Sequence, residues 1–162
     1  MYQQILLSQI MKIEDEIKST VAINLAKKVL LNISFTKNIL SDKFQEITKP
    51  FDLSAEQYNV LRILRGQKGN PANMGIIQER MICKSSNTTR LIDKLLLKEL
   101  VTRKECPDNR RKIEVLITTK GLEILAALEP LIDAHENQFA SNLSEQELNQ
   151  LNILLEKYRT IN

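Results

Sequence analysis

At 162 residues, 43% hydrophobic and 27% charged, the chain is long enough for a domain with a real core and lacks the composition of a disordered protein. Its longest apolar runs fall far short of the roughly 18 residues that a membrane-spanning helix needs, and its start lacks the basic, apolar and small-residue regions of a signal peptide, so a cytoplasmic location is expected. Two cysteines and one histidine leave little material for a disulfide framework, a zinc site or a histidine-based hydrolase, and no catalytic centre, metal or cofactor is expected.

The N-terminal third reads as helix. Leu6, Ile10, Ile13 and Ile17 form one apolar stripe, and Leu25, Val29, Ile33, Leu40, Phe44 and Ile47 form a second at mostly three- and four-residue steps. Lys49-Pro50 ends the region, because proline disfavours helix in the residue before it. The next helix is well specified: Ser54 and Gln57 can make a capping box, Leu53 and Tyr58 a hydrophobic staple, and Gly66 suits the stop.

From Asn73 the pattern is two helices joined by a tight turn. Asn73 caps a short helix carrying Ile77 and Met81, the turn covers residues 82–84, and Ser85 is expected to cap the second helix. In that helix Thr88, Leu91, Ile92 and Leu95 can face inward, leaving Ser86, Asn87, Thr89, Arg90 and Lys94 outward or flanking. Hydroxyl and amide groups in a first helical turn, followed by arginine, suit a helix that reaches base edges and phosphates in a major groove. The same residue types also suit an ordinary capped surface helix.

Two β-rich runs follow, Val101 to Glu105 and Ile113 to Thr118, with turn chemistry at Pro107, Asp108 and Asn109. A hairpin directly after a helix-turn-helix makes a wing. An arginine at its tip, Arg110, can enter a narrow, electronegative minor groove, and Asp108 can orient the guanidinium; the pair can equally serve only to stiffen an exposed turn. Charge is concentrated here. Residues 74–112 carry ten basic and five acidic side chains, a net of +5, whereas the remainder carries a net of −2. Such a distribution is the footprint of a polyanion-binding module, or else of a lysine-rich solvated face.

In the last third, Thr118 can cap a helix whose stripe is Leu125, Leu128, Ile132, His135 and Phe139, with a kink expected at Pro130. Ser144 and Glu147 can form the capping box of a final helix running through Leu151, Leu155 and Tyr158. These stripes and the N-terminal ones exceed what a three-helix core can cover. That argues for a two-fold dimer, or alternatively for an N-terminal helix folded back on its own subunit. His135, on the apolar stripe, reads as a packed interface residue.

The segment from Leu53 to Gly121 resembles the MarR regulators, a family of winged helix-turn-helix proteins. The resemblance is carried by the TRLIDKL block at Thr89–Leu95, the D-x-R at Asp108 and Arg110, and the I-T-x-x-G at Ile117–Gly121. It implies a mainly α fold with a small β wing and N- and C-terminal dimerisation helices, organised as residues 1–50, 51–118 and 119–162. It implies a homodimeric transcription regulator, usually a repressor, that binds a pseudo-palindromic operator in double-stranded DNA and is often released by a small-molecule effector or by cysteine oxidation. The expected contacts are Lys84, Ser85, Ser86, Asn87, Thr89, Arg90 and Lys94 from the helix pair, and Arg103, Lys104, Asp108, Arg110, Arg111 and Lys112 from the wing. Cys83, in the turn, and Cys106, in the wing, are the candidate redox residues. A winged-helix adaptor that binds protein rather than DNA is an alternative of the same fold. Two positions depart from the family pattern. Glu99 stands where glycine is common, and a left-handed cap there would cost on the order of 1 kcal/mol, so a different helix end is expected. Thr88 stands where an apolar residue is common, which would loosen packing.

Overall fold

The computed structural model describes residues 11–106 and 109–160, with residues 105, 106 and 109–112 described by their backbone alone. The chain divides into two units, one up to Lys43 and one from Phe44 onward. In the first unit, a short helix α1 (Ile13–Glu16) is followed by α2 (Leu25–Thr48), which continues into the second unit. The Asn24 side chain accepts from the Lys27 N–H (2.9 Å) at the start of α2. Lys28 of α2 pairs with Glu14 of α1, and this hydrogen bond holds the Glu14 carboxyl below the usual range.

A single 3-10 turn, Lys49–Phe51, leads to α3 (Ala55–Arg65). Its capping box is present: Ser54 Oγ accepts from the Gln57 N–H at 3.2 Å, and Gln57 Oε1 accepts from the Ser54 N–H at 3.1 Å. The helix pair follows as α4 (Met74–Arg80), capped by Asn73, and α5 (Thr88–Leu97). The wing strands are β2 (Val101–Cys106) and β3 (Asn109–Ile117). Helices α6 (Thr119–Ala140) and α7 (Glu145–Tyr158) complete the chain, capped by Thr118 and by the Ser144/Glu147 box. Helix α6 runs on through Pro130 without interruption.

The sheet has a strand that the sequence did not announce. Ala72–Asn73 forms β1, antiparallel to β3 through Ala72 opposite Val115 and Asn73 opposite Glu114, giving the order β1-β3-β2. Two residues carry no readable period. They are a strand because β3 supplies partners for their backbone groups. Strands β2 and β3 pair with Val101 opposite Ile117 and Glu105 opposite Ile113, and the register shifts between Glu105 and Cys106.

One core knits the second unit together. Leu61 and Leu64 of α3, Ile77 and Met81, Ile92 and Leu95 of α5, Val101 and Val115 of the sheet, and Leu125 and Leu128 of α6 are all buried. Each such side chain contributes about 1.5–3 kcal/mol relative to exposure. Further along α6, His135 packs edge-on against Phe139 (5.1 Å between centroids) and lies 6.2 Å from Phe44. Among the described residues helix α7 has none buried, and Leu151, Ile153, Leu154, Leu155 and Tyr158 are exposed along it.

The helix end at Glu99 corrects an expectation. Glu99 does adopt a left-handed backbone, φ +60°, and α5 ends as it would with glycine. The Glu99 N–H donates to Leu96 O (2.9 Å) and the Leu100 N–H to Leu95 O (3.0 Å), the two bonds of a Schellman cap. Leu100, buried just beyond, supplies the accompanying apolar contact. Lys120 pairs with the Glu99 carboxylate at 3.1 Å, and the Thr118 hydroxyl donates to Glu99 O at 2.9 Å.

Candidate nucleic-acid interface

The start of α5 also differs from expectation. Its N-cap is Asn87, not Ser85: Asn87 Oδ1 accepts from the Arg90 N–H at 3.0 Å. Ser85 and Ser86 therefore belong to the turn, which spans residues 81–87. The Ser86 N–H donates to Cys83 O at 3.2 Å, so this short loop satisfies part of its own backbone before the helix begins. Capping consumes only the oxygen of the Asn87 amide. The residue itself is exposed at the helix tip.

Along α5 the two faces separate cleanly. Thr88, Ile92 and Leu95 are buried, while Asn87, Thr89, Arg90, Asp93 and Lys94 are exposed. The 3.6-residue repeat places the exposed set on one side. Glu56, Ser86, Asn87, Arg90, Leu91 and Lys94 line a shallow groove of about 360 Å³ on that side. Thr88 is not a packing defect, because its hydroxyl donates to Gln78 Oε1 from a site 5% exposed.

The remaining expected contact residues have different surroundings. Lys84 is exposed in the turn and its ammonium donates to the carbonyl of Glu79 at the end of α4, the position at which a cation complements a helix C-terminus. Arg103 of β2 pairs with Asp93 of α5 at 3.4 Å, which ties the wing to the helix. Lys104 is exposed on the same strand. Arg110, Arg111 and Lys112 lie on β3, but their side chains fall outside the described residues, as does that of Cys106. Asp108 lies wholly outside them.

Cys83 is an exposed free thiol, 3.3 Å from the Ser85 hydroxyl. The Ser85 hydrogen bond, with a second from Ser86, holds its pKa below the ordinary thiol value, against the opposing effects of desolvation and the Glu56 charge.

Sequence reasoning passed over two residues at this site. Asn59 of α3 accepts the Ile82 N–H at 3.1 Å, and Gln78 of α4 donates to Lys84 O at 2.8 Å. Neither position stands out in a periodicity scan, since an amide half-buried on a helix has no signature until its partner is known.

These features match known proteins. The MarR family model matches residues 53–113. HTH-type transcriptional regulator MhqR of Bacillus subtilis is 27% identical over 130 residues, 80% of this chain and 88% of that protein. A MarR transcription factor structure from Planctomyces limnophilus is 35% identical with a TM-score of 0.64, over 84% of this chain and 98% of that one. The S. aureus MepR–DNA complex has the same fold, with a TM-score of 0.73 at 22% identity, over 85% of this chain and 97% of the MepR chain. With a winged helix-turn-helix in place, an exposed polar face on its second helix and a relative this similar over nearly its whole length, the chain belongs to the MarR family of DNA-binding transcriptional regulators.

Proposed function

We propose that the protein is a homodimeric, cytoplasmic repressor that sets the N-terminal half of α5 into successive major grooves of a pseudo-palindromic operator. The observation that carries this reading is the division of α5, with Asn87, Thr89, Arg90 and Lys94 outward and Thr88, Ile92 and Leu95 in the core. A helix with that division presents hydrogen-bonding groups to base edges from a rigid support. Ser85 and Ser86 reach the flanking phosphates, Lys84, Lys104, Arg111 and Lys112 add positive charge, and Arg110, oriented by Asp108, takes the adjacent minor groove. Arg103 contributes charge at the wing base while bracing it through Asp93. The fold shared with MepR, which is bound to DNA in its structure, supports this placement. The exposed apolar face of α7 supports the dimer, since Leu151, Leu154, Leu155 and Tyr158 are uncovered among the described residues.

Arg90→Ala tests the reading. Each subunit loses a contact worth about 1–3 kcal/mol, so operator affinity falls at least about tenfold while the melting temperature holds. Unchanged affinity and an unchanged salt slope in a fluorescence titration would remove α5 as the reading helix.

Release from DNA by a small-molecule effector belongs to the same reading. A second open groove, about 460 Å³, is lined by Lys49, Asp52, Gln57, Lys94, Leu97 and Lys98 against the C-terminal half of α5, where an occupant would touch the reading helix directly. A thiol switch is favoured by one specific observation. Cys83 is exposed, its thiol is shifted toward ionisation, and it sits four residues before the cap of α5. Oxidation there would disturb the turn that leads into the reading helix.

A further inference from the structure

The segment between α4 and α5 has no helix or strand ladder of its own to hold it, so its course depends on side chains from elsewhere. Beside the turn's own Ser86–Cys83 bond and the Lys84–Glu79 contact, three hydrogen bonds from amide side chains of α3 and α4 add restraint. Asn59 Oδ1 holds the Ile82 N–H (3.1 Å), Gln78 Nε2 donates to Lys84 O (2.8 Å), and Gln78 Oε1 accepts from the Thr88 hydroxyl. The last two use opposite ends of one amide. Gln78 therefore joins the middle of the turn to the first residue of α5, from a helix that belongs to the core.

We propose that Gln78, through Thr88, is a positioning residue for sequence-selective DNA binding: it sets the rotation of α5 about its own axis and hence which base edges Asn87, Thr89 and Arg90 meet. The inference rests on α5 being the reading helix. A rotation of about 10° displaces a side-chain tip some 6 Å from the helix axis by about 1 Å, and hydrogen bonds to base edges tolerate only a few tenths of an ångström. Phosphate attraction is long-ranged and tolerates such a shift. Loss of the amide should therefore reduce discrimination between sequences rather than attraction to DNA.

Apolar packing holds α5 against the core through the buried Ile92 and Leu95, with Leu91 and Leu96 partly buried beside them, but none of these side chains makes a directional bond. Its N-terminal turn, where the reading groups are, has Thr88 as its buried anchor. The Thr88 hydroxyl meets Gln78 Oε1 in the rotational setting observed. Serine would preserve that bond and valine would not.

The experiment uses the full-length protein, a duplex selected by the wild type from a randomised pool, and an unrelated duplex of equal length. Affinity for each is measured across a salt series for wild type, Gln78→Met, Thr88→Val, Thr88→Ser and Arg90→Ala. Gln78→Met and Thr88→Val are expected to lose about tenfold on the selected duplex, through one or two hydrogen bonds per subunit. Binding to the unrelated duplex and the salt slope should stay at wild-type values, and Thr88→Ser should retain selectivity. A wild-type affinity ratio for Gln78→Met, an equal fall on both duplexes, or Thr88→Ser behaving like Thr88→Val would overturn the proposal. Arg90→Ala separates the two levels: if it binds both duplexes like wild type, the reading-helix assignment fails and this inference fails with it. Weakening by Arg90→Ala beside an unchanged Gln78→Met ratio sinks the positioning role alone.

Discussion

Gly121 is the position at which local and tertiary reasoning predict opposite signs, which makes Gly121→Ala an informative perturbation. The residue lies in the first turn of α6, where its N–H donates to the capping Thr118 hydroxyl at 3.1 Å. Helix propensity alone favours alanine there by up to about 1 kcal/mol. The surroundings oppose it. A Cβ at Gly121 would sit 2.5 Å from the carbonyl oxygen of Leu100 and 2.8 Å from Ile117 Cγ1. That carbonyl belongs to backbone, immediately after the Schellman cap of α5, and accepts from the Thr118 N–H at 3.1 Å. Relief requires moving the strand, the cap or the helix. Overpacking of this kind costs about 1–3 kcal/mol, and a strained or broken Thr118–Leu100 bond adds about 1 kcal/mol. After subtraction of the propensity gain, a net loss of about 2 kcal/mol remains. For a chain of this size that lowers the melting temperature by roughly 4–8 °C. Thermal unfolding followed by circular dichroism at 222 nm, at one fixed protein concentration because the stability of the proposed dimer depends on it, measures the shift. An unchanged or raised melting temperature would refute the close approach of α6 to Leu100 on which the calculation depends.

Further outcomes follow from the same geometry. Glu99→Gly relieves a left-handed backbone that costs about 1–2 kcal/mol, against about 0.4–1 kcal/mol from a freer unfolded chain and a few tenths from the exposed Lys120 pair. The variant should melt slightly higher than wild type in the same scan, and a fall of several degrees would mean that the cap is not left-handed. Because the Cys83 thiol is held below its ordinary pKa, its thiolate fraction at neutral pH is raised. In a Cys106→Ser background, alkylation by iodoacetamide should reach half its maximal rate at a lower pH than a free cysteine measured in parallel, and a coincident or higher midpoint contradicts the Ser85 and Ser86 hydrogen bonds. Arg90→Ala should weaken operator binding at least about tenfold without lowering the melting temperature; equal affinity on the titration would reject α5 as the reader.

Much of this protein was legible before any coordinates, and the legible parts share a cause. The capping boxes at Ser54/Gln57 and Ser144/Glu147, the caps at Asn73 and Thr118, and the inward set Thr88, Ile92 and Leu95 depend on residues within one or two helical turns of each other. Local sequence specifies local hydrogen bonds and apolar faces, so these elements and their order could be read directly. The two β-rich runs after α5 announced the wing, and the motifs at Thr89–Leu95 and Ile117–Gly121 pointed to the family.

What tertiary structure decided involves partners distant in the chain. Ala72–Asn73 is a strand because Glu114 and Val115 lie beside it, and α5 begins at Asn87 rather than Ser85 once the turn is held from α3 and α4. Glu99 tolerates a left-handed backbone where the Schellman bonds, the buried Leu100 and the Thr118 hydroxyl meet on it. Arg103 faces Asp93 only after β2 has folded against α5. In each case a backbone or polar group depends on a partner in another element or on the packing of the whole unit, and no pattern within a single segment encodes that encounter.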